Sequence, residues 1–349
     1  MGLFSSPNKG YLGIDIGTSG IKIVELIKEG KKAKLLSYGF SEPKNVELSD
    51  NWQNDPQAIA NIINEIHKSA GMSSKMAVSA LPTFSVFTSV ITLMNIDKKD
   101  LPSAITWEAK KVIPLPLEEM VLDWVMVGEE DKANPNKKMS KILLTGAPKS
   151  LVEKFITTFK SAGLQLLCLE TETLSLVRAL LGNDKSTVMM IEVGTNTTDI
   201  SIVEKGIPIL NRSIDVGGMT ITKAIGNNLN IGYQRAEQFK YDLGIGSLES
   251  QEEVIPKTII ESLSPIINEI KYTINLYQNK NSVPVEKIML SGGGSLLINF
   301  SKYLTKILNM NVVIGDPWSR VSHPVDLSPL LKEIGPRLSV AVGLALHEL

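Results

Sequence analysis

The sequence predicts an α/β chain built of two pseudo-equivalent halves that face one another, and three observations predict it. A strand–turn–strand pattern occurs twice. Ile14-Asp15-Ile16-Gly17-Thr18-Ser19 leads into the alternating Ile21, Ile23, Val24 and Leu26, and Ile191-Glu192-Val193-Gly194-Thr195-Asn196 leads into Thr198, Ile200, Ile202 and Val203. Each copy is a β-branched strand ending in an acid, then a Gly/Thr/Ser turn, then a second strand, which is a hairpin signature. The second observation is a strand, Lys287–Ser291, that runs through Gly292-Gly293-Gly294 into a helix expected over 295–308. The third is length: 349 residues exceed what one hydrophobic core usually serves.

Taken in order, residues 10–40 read as three strands, the last following the turn Glu29-Gly30-Lys31. Residues 55–70 read as a helix with Ile59, Ile62, Ile63 and Ile66 on one face and Gly71 after it. A strand over 76–80 ends at Leu81-Pro82. Then come a strand (85–94), a helix (97–112), two strands (121–127 and 141–146) joined by the turn-rich 132–140, and a helix (150–162). Residues 164–169 rejoin the first sheet and 172–181 form its crossover helix. The expected organisation is a first half (1–82 and 164–183), an inserted α+β subdomain (83–163) and a second half (184–349). In the second half a strand is expected at 208–216, a helix from Gly217-Gly218 to Leu229 and another over 233–242. Ile259, Leu263, Ile266, Ile270, Ile274 and Tyr277 form a helical stripe that Pro265 is expected to cap or kink.

Composition narrows the function. A formal net charge of −1 argues against a nucleic-acid partner, which needs a clustered basic excess. The single cysteine, Cys168, lies in an apolar run and reads as a buried structural thiol. His67, His323 and His347 are scattered, so no zinc site is expected. No apolar stretch approaches the ~18–20 residues of a membrane span. The opening Met1–Ser6 lacks the features of a secretory signal; Gly2 and Ser6 fit the myristoylation pattern, but so short a match arises by chance. A small apolar plug or tail in a cytosolic protein is the expectation.

The turn chemistry points to phosphate. Glycine lets the backbone approach closely, successive N–H groups make an anion-binding nest, and hydroxyls add donors. An acid on the strand can hold a metal-bound water beside such phosphates. The three glycines would let a flat ligand approach the next helix's N-terminus; standing alone they would be a plain connecting loop. No G-x-x-x-x-G-K-[ST] and no usable G-x-G-x-x-G is present, which excludes P-loop and Rossmann sites.

The order hairpin, hairpin, glycine loop resembles the actin-like ATPase superfamily, of ribonuclease H-like fold. The resemblance implies ATP or ADP with Mg²⁺ in the interdomain cleft. Asp15 would orient Mg²⁺ waters, with Gly17, Thr18, Ser19 and Lys22 at the phosphates. Glu192, Gly194, Thr195, Asn196, Thr197 and Thr198 would meet them from the other side, with Gly217 and Gly218 nearby. Gly292, Gly293, Gly294 and Ser295 match the adenosine loop, and Glu237 with Lys240 an E-x-x-K pair that contacts ribose or base. That spacing also suits an ordinary exposed helical ion pair. A terminal helix over 336–347, with Ala341, Gly343 and Ala345, matches the second interdomain connection. Glu172 and Asp199 are the acids placed to position water. Many members of the superfamily have Asp where this chain has Glu192, so weak or absent ATPase activity is expected.

Within the superfamily the insertion decides. It carries Trp107-Glu108-Ala109, then Ile113-Pro114-Leu115-Pro116, then Asp123-Trp124, and resembles the insertion of the type IV pilus assembly PilM family. Trp107 and Trp124 are expected in its core. The resemblance implies a cytoplasmic adaptor, peripheral to the inner membrane through a single-span, PilN-like partner whose N-terminal peptide it grips. It would also contact the pilus assembly motors or serve a related secretion system, with a homo-oligomer possible. The strand over 85–94 is a candidate edge for peptide addition. Alternatives on the same fold are an FtsA-type polymerising cell-division protein and a small-molecule kinase. FtsA continues into a linker and an amphipathic helix where this sequence stops at Leu349, which disfavours it.

Overall fold

The computed structural model describes residues 10–41, 54–94, 96–97, 99–130, 139–246, 254–279 and 283–349. The N-terminal plug and most of the 132–140 connection lie outside the described residues. Three antiparallel strands come first: β1 (Gly10–Gly17), β2 (Gly20–Glu29) and β3 (Lys32–Phe40). Gly17 pairs with Gly20, which leaves Thr18-Ser19 as a two-residue turn. Helix α1 (Pro56–Ser69) starts where Asp55 accepts from Gln57 N and buries Ile59, Ile63 and Ile66. Strand β4 (Met76–Leu81) then lies parallel to β1.

The chain next leaves this sheet. Strand β5 (Phe87–Met94), helix α2 (Leu101–Val112), strand β6 (Met120–Glu130) and strand β7 (Met139–Pro148) form a separate antiparallel sheet, order β5-β7-β6, under one helix. Its core joins Ile91 and Leu93 to Ile105, Ala109, Ile142 and Leu144. Helix α2 buries Leu101, Ile105 and Ala109, four residues apart, so Trp107 falls on the opposite face and is 65% exposed. That corrects the expectation of a core Trp107; Trp124 does pack partly against this cluster. Helix α3 (Lys149–Ser161) inserts Phe155 and Phe159 among Ile59, Ile63 and Leu12 of the first sheet's core. Strand β8 (Gln165–Thr171) rejoins that sheet parallel to β4. Cys168 is half-buried there, and burial raises its thiol pKa.

Helix α4 (Glu172–Leu176), prolonged by a π-helical turn Val177–Leu181, crosses to the second half. There β9 (Val188–Val193), β10 (Thr198–Glu204) and β11 (Ile207–Ile214) are followed by helices α5 (Gly218–Leu229), α6 (Tyr233–Leu243) and α7 (Val254–Gln278). Strand β12 (Lys287–Ser291), helix α8 (Phe300–Leu308), strands β13 (Val312–Ile314) and β14 (Val321–Ser322) and helix α9 (Ser328–Ala345) complete the chain. The second sheet runs β11-β10-β9-β12-β13, and the first runs β3-β2-β1-β4-β8 with β14 added beside β3. The pairings match strand for strand, antiparallel then parallel. The sequence repeat is a repeat of topology.

Three expectations on helices are corrected. Helix α7 runs through Pro265 without stopping. Ile259, Leu263, Ile266 and Ile270 on either side of it are fully buried. Each contributes roughly 1.5–3 kcal/mol, which together outweigh the ~3 kcal/mol cost of a mid-helix proline. No helix opens at Ser295: a 3₁₀ turn, Gly293–Leu296, comes first, and α8 begins at Phe300. Ile298 O accepts from Ile245 N and Asn299 Nδ2 donates to Gly246 O, which draws the chain out of helical geometry. Helix α9 begins at Ser328 and contains Pro336. It wedges between the halves: a Cβ on Gly13 would lie 1.9 Å from Ala341 O, and one on Gly343 2.0 Å from Ser175 O. Val340 and Leu344 of α9 share a cluster with Val78 of the first sheet and Val188, Met190 and Val203 of the second.

Candidate functional site

A cleft of about 590 Å³ opens between the two sheets, within the ~300–1,000 Å³ usual for small-molecule sites. Both hairpin turns enter it, and they touch: Thr195 Oγ1 donates to Ser19 Oγ at 2.7 Å. Asp15, Gly17, Thr18, Ser19 and Lys22 line one wall, and Glu192, Gly194, Thr195, Asn196, Thr197 and Asp199 the other, with Glu172 at the base of α4. Gly218, Glu237, Lys240, Gly292, Gly293 and Gly294 complete the lining expected from the sequence.

Three expected residues stand behind it. Thr198 is fully buried, with its hydroxyl donating to Val216 O. Ser295 is buried and donates to Gly292 O. Gly217 braces the second turn: a Cβ there would lie 2.6 Å from Thr195 O. The first N–H groups of α5 are spent on that turn, Gly218 N on Gly194 O and Met219 N on Thr195 O. The start of α5 therefore shapes the turn and offers a ligand neither of those two donors.

Charge in the cleft is uneven. Lys22 Nζ donates to Asp15 Oδ2 at 2.7 Å. Burial alone would lower the Lys22 ammonium, but Asp15, Glu192 and Glu172 hold its pKa above the ordinary lysine value. Glu172 Oε2 accepts from Thr83 N (2.7 Å) and Thr83 Oγ1 (2.9 Å). Burial and the nearby Asp199 and Asp15 nevertheless raise Glu172 to about 8. Burial, then Glu172, Asp15 and Asp199, push Glu192 well above the carboxylate range. Burial lifts Asp199 to about 6. The neighbouring Ser213 hydroxyl acts in the opposite direction, and Asp199 Oδ1 is buried without a partner at hydrogen-bond geometry.

The nucleoside side is built by α6 and the glycine loop. Lys240 Nζ bonds Glu237 Oε2 (2.8 Å), Thr222 Oγ1 (2.9 Å) and Gly218 O (3.2 Å), so Lys240 is buried and Glu237 half-buried, and the pair is not an exposed helical bridge. Burial lowers the Lys240 ammonium despite Glu237. Tyr233 and Tyr241, four residues either side of Glu237, also line the cleft. Sequence reading missed them, although the i, i+4, i+8 spacing was there to be seen. In the glycine loop, a Cβ on Gly292 (φ +79°) would lie 2.5 Å from Val193 O, and one on Gly294 2.3 Å from Val193 Cγ1. Gly293 meets nothing nearer than Arg337 Cγ at 3.7 Å, and it alone of the three could carry a side chain.

The residues present fit a nucleotide with a divalent cation. A buried carboxylate oxygen of Asp199 lacks a partner, and apart from the Glu237–Lys240 pair four carboxylates, Asp15, Glu172, Glu192 and Asp199, line the cleft with Lys22. Among the described residues no three His, Cys, Asp or Glu side chains converge to chelate a metal by themselves. That suits Mg²⁺, which keeps waters and takes one or two carboxylates plus phosphate oxygens.

The profile of a family described as type IV pilus assembly protein PilM matches residues 13–349. Among solved structures, a chain of a PilM–PilN type IV pilus biogenesis complex is 24% identical, with TM-score 0.83 over 97% of this chain and 98% of that one. The ethanolamine utilization protein EutJ from Carboxydothermus hydrogenoformans is 18% identical, TM-score 0.60, over 97% and 90%. MreB5 of Spiroplasma citri bound to AMPPNP is 15% identical, TM-score 0.55, over 97% and 96%. These likenesses establish an actin-like fold. The cell division protein FtsA of Bacillus subtilis is 21% identical over 280 residues, 72% of this chain and 62% of its own length. FtsA of Neisseria meningitidis serogroup B is 22% identical over 379 residues, 95% and 88%. No helix among the described residues is long and apolar enough to cross a membrane.

Proposed function

Because the chain belongs to the type IV pilus assembly protein PilM family, we propose that it is a nucleotide-binding adaptor of type IV pilus assembly. The observation that carries this is the cleft in which the two hairpin turns meet, Ser19 against Thr195, beside a surplus of buried carboxylate. ATP or ADP would lie with its phosphates between the turns and its nucleoside between α6 and the glycine loop. Mg²⁺ would be held by phosphates and by waters on Asp15, and would supply the positive charge that the four carboxylates lack. Lys22, Thr18 and Ser19 bind phosphate, while Glu172 and Asp199 stand where water would approach. Hydrolysis is slow in this reading, since Glu192 replaces the usual Asp; steady-state turnover of 1–10³ per second would contradict it.

The partner is a single-span inner-membrane protein of the PilN kind, which would hold the chain at the cytoplasmic face and link it to the assembly motors. Its N-terminal peptide would order on binding in the groove between the 83–163 insertion and the first half. Support comes from β5, an edge strand that among the described residues pairs only with β7, and from Phe84, where the chain enters the insertion, and Leu115, just after α2, 55% and 50% exposed. Thr92→Glu and Met94→Glu, both at exposed β5 positions, should abolish binding of that peptide in fluorescence anisotropy and leave Mg·ATP affinity intact. Wild-type peptide binding by these variants would move the site elsewhere. If no envelope-protein peptide binds the wild type, the pilus role itself fails.

A further inference from the structure

Arg337 was not singled out by the sequence, yet it occupies a junction. It lines the main cleft beside Gly293, and with Ser19, Gly20, Lys22 and Phe40 it also borders a small side pocket. Its Cγ and Nε lie 3.7 and 4.0 Å from where a Gly293 Cβ would sit. Its guanidinium lies 5.3 Å from the centre of the Phe40 ring, a cation–π distance.

The backbone fixes it there. Gly292 N donates to Pro336 O at 2.9 Å, and Ser291 Oγ donates to the same carbonyl at 3.3 Å. The residue before Arg337 is thus tied to the glycine loop. Gly335 is pressed against Trp318, where a Cβ would lie 2.8 Å from Nε1. Helix α9 cannot slide without breaking these contacts and those at Gly13 and Gly343.

We propose that Arg337 binds the phosphate nearest the nucleoside, the α-phosphate, of the nucleotide in this cleft, an inference that rests on the nucleotide reading above. A nucleotide with its base near α6 and its terminal phosphates between the hairpin turns must carry its 5′ end past Gly293 toward Ser19. Arg337 borders both. Its planar fork matches phosphate oxygens, and Phe40 restricts it to one orientation, so little freedom is lost on binding. Burial lowers the Arg337 pKa from the usual arginine value, in keeping with its place in the cleft wall.

The test is calorimetric titration of wild type, Arg337→Gln and Phe40→Ala with ADP, AMP and adenosine, the nucleoside followed by ligand-observed NMR if it binds weakly. Arg337→Gln should weaken ADP and AMP by the same factor, roughly tenfold or more, the usual worth of a charge-assisted hydrogen bond. Adenosine should bind it as it binds wild type, and Phe40→Ala should show a smaller loss in the same pattern. Unchanged melting temperatures establish that the variants are folded. An equal loss for adenosine would make the role structural and overturn the proposal, as would a loss for ADP but not AMP, or no loss at all. If wild type binds none of the three, the nucleotide reading falls first and this one with it.

Discussion

In the first hairpin Asp15 stands directly across the strands from Lys22; at the corresponding place in the second, Glu192 stands across from Asp199. The backbones are alike, but one cross-strand pair is an ion pair and the other sets two acids on one face. Like charges so placed repel, and burial makes the repulsion costlier. The loops that leave the matching strands also differ. Strand β4 exits through Pro82-Thr83, where the Thr83 N–H and hydroxyl donate to Glu172, and β12 exits through three glycines, of which Gly292 and Gly294 pack on Val193. One half therefore carries the insertion and a balanced charge. The other carries the glycine floor and two facing acids, Glu192 and Asp199, with no cation of their own strand pair across from them.

The glycine floor gives the largest expected effect. Gly294→Val would drive a methyl group into Val193 and should destabilise by about 3 kcal/mol or more, read in denaturant unfolding. Gly293→Val should unfold at the wild-type midpoint yet fail to bind nucleotide, because its side chain enters the cleft. A folded Gly293→Val that binds normally would remove the loop from the site.

Carboxylate-to-amide changes test the charge contrast itself, and the two halves should answer with opposite signs. Asp15→Asn breaks the Lys22 pair and should cost about 2 kcal/mol in the ligand-free protein. Glu192→Gln removes the cost of keeping a buried acid protonated above its ordinary range and should stabilise the protein at neutral pH by about 1 kcal/mol or more. Two losses of similar size in chemical denaturation would show that the second pair is no burden to the fold.

The smallest effect is in pH dependence. Glu172 at about 8, Asp199 at about 6 and a strongly raised Glu192 hold protons in the folded chain that the unfolded chain releases near pH 4. A raised carboxylate pKa means the folded state binds more protons between about pH 4 and 8, so these groups lower stability as pH rises through that window. Calorimetric melting of Glu192→Gln should show a shallower decline over it than wild type. An identical slope would mean that Glu192 does not titrate there.

How much of this was legible follows from the range of the interactions. The hairpins, the glycine loop and the crossover are written in local alternation and turn residues, and the strands at Gly10–Gly17 and Lys287–Ser291 fall where those signals put them. Trp107 was misplaced because a lone aromatic does not reveal which helix face a sheet will cover, whereas Leu101, Ile105 and Ala109 do. The late start of α8 depends on bonds to Gly246 and Ile245, distant in sequence. Residues that belong to the cleft through their own hairpin or loop were found. Arg337 reached it only through the packing of a terminal helix, and no nearby residue announces that.

The central claim is that the cleft takes a nucleotide through a cation held near Asp15. Isothermal titration of wild type and Asp15→Ala with ATP, each with and without Mg²⁺, tests it most directly. Wild type should bind Mg·ATP, and Asp15→Ala should weaken it by about 10–100-fold with a clearly smaller loss for metal-free ATP. Equal losses in the two conditions, or wild-type affinity indifferent to Mg²⁺, would contradict it.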